Sequence, residues 1–77
     1  MDVDLDKIDD STLALLHLVS FQDGFGIRAW KSFDWDTMNR LHKKGYISDP
    51  KNKNVSIGLS DKGAAKAKEL FEKLFAK

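Results

Sequence analysis

A chain of 77 residues, 42% of them hydrophobic, can build one domain around one small core and is too short for two. It contains no cysteine, so neither a disulfide nor a thiolate metal site can reinforce a core that on its own supplies about 3–5 kcal/mol. The net charge of +1 conceals a division: residues 1–36 set eight Asp against Lys7, Arg28 and Lys31, leaving −5, and residues 37–77 set ten basic residues against Asp49, Asp61, Glu69 and Glu72, leaving +6.

That asymmetry implies an oriented surface, against the plainer reading of solvated helix faces. The start of the chain is acidic and has no apolar signal-peptide core, and no run approaches the length of a membrane span. The expected location is the cytoplasm, with no membrane partner.

Residues 1–8 read as an acidic arm and residues 9–77 as the domain. Asp9 or Asp10 is placed to cap a first helix over 9–21, because a carboxylate accepts from the free N–H groups there. Ile8 can staple back onto its first turn. Leu13, Leu15, Leu16, Leu18 and Val19 make this helix apolar over a wide arc, as a central buried helix requires. Residues 25–31 follow as a short second helix, weakened by Gly24 and Gly26. Asp34 caps a third helix over 34–44, with Trp35, Met38 and Leu41 on one side and Gly45 as its left-handed stop.

Tyr46-Ile47-Ser48 reads as a short strand, and Pro50 opens a polar turn because it cannot donate to a ladder. Val55, Ile57 and Leu59 alternate with Ser56 and Gly58, the pattern of a half-buried strand. The expectation is one two-stranded antiparallel ribbon over 46–59. A last helix over 61–75 begins after Ser60, with Ala64, Ala67, Phe71, Leu74 and Phe75 as its apolar stripe. Leu16, Met38, Leu41, Ile47, Ile57 and Phe71 are the expected core.

The pattern Leu41-x-x-x-Gly45-Tyr46-Ile47, a charged turn, then Val55-x-Ile57-x-Leu59-Ser60-x-x-Gly63 and a helix resembles winged helix-turn-helix regulators. The multiple-antibiotic-resistance class of bacterial repressors is the nearest comparison, over roughly residues 35–70. Phe33-Asp34-Trp35 together with the Leu41–Ile47 segment also resembles a small bacterial domain family of unknown function, a likeness that bears on fold and supplies no activity. The implied fold is α+β and mostly α: three helices, a two-stranded β-wing and a C-terminal helix. The implied function is that of a small DNA-binding protein and transcriptional regulator. In such domains the third helix enters the major groove and the wing tip touches phosphates.

Residue by residue, that resemblance assigns nucleic-acid contact to Asn39, Arg40, Lys43 and Lys44 on the third helix and to Lys51 and Lys53 at the wing tip. Asn and Arg suit base edges, and Lys suits phosphate. The plainer reading of this basic group is a solvated helix end, where Lys favours the dipole. Asp34 and Asp36 at the helix start work against phosphate, and Asp36 is spaced to pair with Arg40. The weak charge on this side favours a rival reading, a protein-interaction module whose acidic and aromatic surface engages another protein.

The dense aromatic group Phe25, Trp30, Phe33 and Trp35 reads as core packing with one Trp partly exposed, against a partner-binding surface. Asp2-x-Asp4-x-Asp6 lacks the Gly and Glu that a calcium loop needs at its sixth and twelfth positions, where Lys7 and Leu13 stand. His17 and His42 have no third ligand nearby, so no metal and no cofactor is expected. No nucleophile motif or phosphate-cradling loop is present, which argues against an enzyme. The apolar stripe of the last helix can pack on the first helix or on its copy in a homodimer.

Overall fold

The computed structural model describes residues 1–24, 26–30, 33–51 and 55–77. The chain forms a small α+β domain: α1 (Leu5–Leu18), β1 (Ser20–Asp23), β2 (Gly26–Trp30), α2 (Trp35–Lys43), β3 (Ser56–Leu59) and α3 (Asp61–Phe75). The strands make one antiparallel sheet in the order β1-β2-β3. Ile47 adds an isolated antiparallel bridge to Leu59 on the outer side of β3. The domain measures 39 × 30 × 18 Å, and the short dimension fits one sheet with one layer of helices.

The first helix begins four residues earlier than its caps suggested. Asp4 is the N-cap and accepts from the Lys7 N–H at 3.1 Å, so Leu5 to Ile8 are helical. Asp9 lies inside the helix and is buried.

Within the expected second helix over 25–31 the described residues, 26–30, form a strand, and the helix before it ends at Leu18. Ser20–Asp23 and Gly26–Trp30 pair as a hairpin, with Asp23 opposite Gly26. Gly24 carries φ +61°, the left-handed backbone that a two-residue hairpin turn demands. Phe21, Ile27 and Trp30 favour the pleated surface of such a ribbon. The sheet therefore has three strands where a two-stranded ribbon was expected, and α2 has no helical partner directly before it. A helix-turn-helix pair is absent among the described residues.

The other elements follow local rules. Asp34 caps α2 by accepting from Thr37 N–H and Thr37 Oγ1, both at 3.1 Å. Its end is a Schellman turn: Tyr46 N–H reaches Leu41 O at 3.1 Å, Gly45 N–H reaches His42 O at 2.9 Å, and Gly45 has φ +83°. Ser60 caps α3 by accepting from Gly63 N–H at 2.9 Å while its hydroxyl donates to Gly45 O at 2.6 Å. One serine thus ties the start of α3 to the end of α2.

Leu13, Ala14 and Leu16 of α1, Ala29 and Ile57 of the sheet, Met38 and Leu41 of α2, Ile47, and Ala67 and Leu70 of α3 form the core. Five of the six expected core residues are in it; Phe71 is half-buried and packs against its edge. The most extensive helix–helix packing is between α1 and α3, so α3 takes its intramolecular outlet, through Ala67 of the expected stripe and through Leu70, which lay outside it. Leu74 and Phe75, at the far end of that stripe, remain about half exposed.

Candidate functional site

The six residues assigned to nucleic-acid contact divide into three groups. Arg40 and Lys44 sit one turn apart on α2 and both turn toward α1. Arg40 donates from Nε to Asp9 Oδ1 at 2.9 Å and from Nη2 at 2.8 Å, and Lys44 Nζ donates to Asp9 Oδ2 at 2.8 Å. Lys44 also reaches Asp6 at 3.1 Å, and Arg40 Nη2 donates to Thr37 Oγ1 at 3.0 Å. Arg40 was expected on the outward side, paired with Asp36 if paired at all. It faces inward because a carboxylate at 1% exposure needs charged donors more than an exposed one does.

Burial alone pushes the Asp9 carboxyl up, but the hydrogen bonds from Arg40 and Lys44 and their charges outweigh it, so Asp9 lies below the usual Asp range. The same bonds hold both cations above their ordinary values. This cluster is an inter-helix clamp between α1 and α2. It also folds part of the acidic half of the sequence onto the basic half.

Asn39, Lys43 and Lys51 do come together. With His42 and Asp49 they line an open cleft of about 170 Å³ between the outward side of α2 and the turn that follows it. Lys43 and Lys51 are exposed and Asn39 is half-buried. His42 Nδ1 lies 3.1 Å from Ile47 O, and since a carbonyl only accepts, that nitrogen carries the proton. Asp49 shapes the turn by accepting from Lys51 N–H at 2.9 Å. The cleft can present two ammonium groups, an amide and an imidazole to an anionic or base-edge ligand, against the one carboxylate of Asp49. Lys53 lies outside the described residues.

The aromatic group behaves differently from the packing expected of it. Trp30 is 51% exposed and Trp35 58% exposed, while Phe33 packs against the core. Phe25 lies outside the described residues. Trp35 joins Phe33, Met38 and the buried Pro50 around a smaller hollow beside the start of α2. His17 is half-buried and its ring tilts against Phe71 at 5.1 Å. Among the described residues no group of His, Cys, Asp and Glu could hold a metal, and no helix is long and apolar enough to cross a membrane.

Sequence reasoning missed Asp9 as the centre of the clamp, taking it for a cap. The signal was present: Asp6 and Asp9 are three apart and so share one side of a helix, once that helix is started at Asp4 rather than Asp9.

Comparison with known proteins gives a family and no activity. Residues 4–77 match the model of a family described as a domain of unknown function, DUF6429. The chain is 48% identical over all 77 residues, the full length of both chains, to a protein of Sinorhizobium fredii (strain NBRC 101917 / NGR234) named "Uncharacterized protein y4hR". No solved structure matches the chain. The model match takes in every helix and strand of the domain, and the chain belongs to the DUF6429 family.

Proposed function

We propose that the chain is a small DNA-binding protein of a reduced winged-helix type, with the β1–β2 hairpin in place of the helix before α2, acting as a regulator through the outward side of α2 and the turn after it. The observation that carries this reading is the convergence of Asn39, His42, Lys43 and Lys51 on one open cleft. In this reading α2 is the recognition helix, and β2, β3 and the Ile47 segment stand for the three strands of a winged-helix sheet. Lys43 and Lys51 meet phosphates and Asn39 meets a base edge. Arg40 and Lys44 brace α2 against α1 and make no DNA contact.

Titration of duplex DNA at several salt concentrations tests this. Affinity should fall steeply with salt, with a log–log slope of about −0.9 per phosphate neutralised. Lys43→Ala and Lys51→Ala should each flatten the slope by about one contact and weaken all sequences alike. Absence of duplex binding at low salt overturns the reading.

A second reading has its own observation. Trp35, 58% exposed between Asp34 and Asp36, stands beside the hollow formed with Phe33, Met38 and Pro50. An exposed indole beside a small hollow, with Asp34 and Asp36 on either side of it in the sequence, suits a basic or aromatic segment of another protein. Assembly is proposed with either reading: the groove between α1 and α3 joins apolar Leu70 and Leu74 to Lys7, Lys73 and Asp10. A second copy related by a two-fold axis is the occupant proposed for that groove.

A further inference from the structure

The face of the sheet turned away from the helices carries groups that the α2 cleft does not use. Ala29 and Ile57 pair across β2 and β3 and are fully buried, so their neighbours in each strand point to the opposite face. Phe21 opposite Arg28, Arg28 opposite Gly58, and Trp30 opposite Ser56 form that face. The Phe21 and Trp30 rings lie 5.4 Å apart at 38°, and Trp30 is 51% exposed. Arg28 donates from Nε to Ser56 Oγ at 2.9 Å and from Nη2 to Ser56 O at 3.0 Å. Its guanidinium therefore lies across β3 over Gly58, where an added Cβ would come within 3.5 Å of Nη1. The result is a fixed cation over β3 and a pair of adjoining rings from β1 and β2 on the same face of the sheet, with a glycine and a serine as the floor on the β3 side.

We propose that this face is a stacking platform for single-stranded nucleic acid. Every base has a π-face, so an exposed indole with a phenyl ring at its side accepts one without regard to sequence. The guanidinium is planar and permanently charged, and it can lie against a second base or meet the phosphate that follows the first. Hydrogen bonds to Ser56 hold it in place before the ligand arrives, which limits the entropy lost on binding. A purely apolar partner would leave that charge unmatched. An acidic peptide would meet one cation here and leave the rings without a planar partner; the exposed Asp23 of the same hairpin opposes it, as it opposes any phosphate beyond the one that Arg28 meets. A strand that alternates base planes with single negative charges matches both halves of the platform. The residues do not overlap those of the α2 cleft, so this inference stands apart from the duplex reading.

Anisotropy of a labelled 15-nucleotide deoxythymidine strand, titrated with the full chain at low salt, tests it. Trp30→Ala should weaken binding about 5- to 150-fold, the loss that one base stack corresponds to, and Trp30→Phe should recover most of it. Arg28→Ala should also weaken binding and reduce its salt dependence. A duplex of the same length should bind Trp30→Ala and wild type equally. Should Trp30→Ala fail to fold, Trp30 emission in a Trp35→Phe chain decides: quenching by the strand supports the platform and its absence overturns it. Absence of single-strand binding by the folded wild type, or equal binding by a folded Trp30→Ala, also overturns it. Loss of duplex binding alone would sink only the α2 reading.

Discussion

Taking the charge from Asp9 leaves Arg40 and Lys44, one turn apart on α2, facing a neutral amide. Removing one partner of a buried pair commonly costs 3–5 kcal/mol. Here both cations keep some contact with water, so Asp9→Asn should cost about 2–3 kcal/mol in denaturant melts. The acid limb carries the same signature. Asp9 titrates lower in the folded chain than its ordinary 3.8. Its stabilisation is therefore complete above about pH 4 and fades as pH falls through the lower folded value. Wild type and Asp9→Asn should differ at neutral pH and converge in acid; a constant gap would place the clamp's contribution elsewhere. Lys44, raised by the same contacts, stabilises below its ordinary 10.5 and ceases to do so as pH climbs through its higher folded value.

Gly63 supplies a second test at this scale. A Cβ there would overlap the carbonyl of Tyr46, a backbone group that cannot step aside. Gly63→Ala should therefore destabilise by roughly 1–3 kcal/mol or more, although alanine is the better helix former. A stabilised Gly63→Ala would mean that α3 can move off the Tyr46 carbonyl without loss.

At the level of elements, α2 was legible because each of its signals is local. Asp34 caps it, Gly45 ends it in a left-handed turn, and Met38 and Leu41 mark its buried side. Leu41→Ala should cost about 2–5 kcal/mol, since it opens a cavity where α2 meets the rest of the core. A loss well under 1 kcal/mol would mean that the site collapses around the smaller side chain. The β1–β2 hairpin was not legible by helical spacing, because Ile27 and Trp30 are three apart and Gly24 and Gly26 looked like breaks in a helix. The better signal was Gly24 as the first turn residue between two short runs that carry Phe21 on one side and Ile27 and Trp30 on the other. The cleft was legible in Asn39, Lys43 and Lys51. Arg40 and Lys44 were not separable from them, because which side of a helix end meets a buried acid is a tertiary fact. If α2 binds DNA as proposed, Asp36→Asn should tighten non-specific binding by removing a charge that repels phosphate, and a salt titration would show it. An unchanged affinity would put Asp36 outside the contact.

At the scale of the whole molecule, the half-exposed Leu74 and Phe75 bear on the proposed assembly. Sedimentation at high protein concentration should show a dimer, and Leu74→Asp should return it to monomer; a wild type that stays monomeric throughout rejects the two-fold arrangement. The packing of α1 on α3 also sets an order of events during synthesis. Within the domain, the first helix in chain order has the third helix as its principal companion, and β3, which pairs with the middle strand β2, comes just before that third helix. Few contacts that close the core can form while the nascent chain is still lengthening. The hairpin of β1 and β2 can form early, but Leu13 and Leu16 wait for Ala67 and Leu70. Folding should then begin only as α3 leaves the ribosome, in one cooperative step, with the apolar side of α1 open to chaperones until that moment.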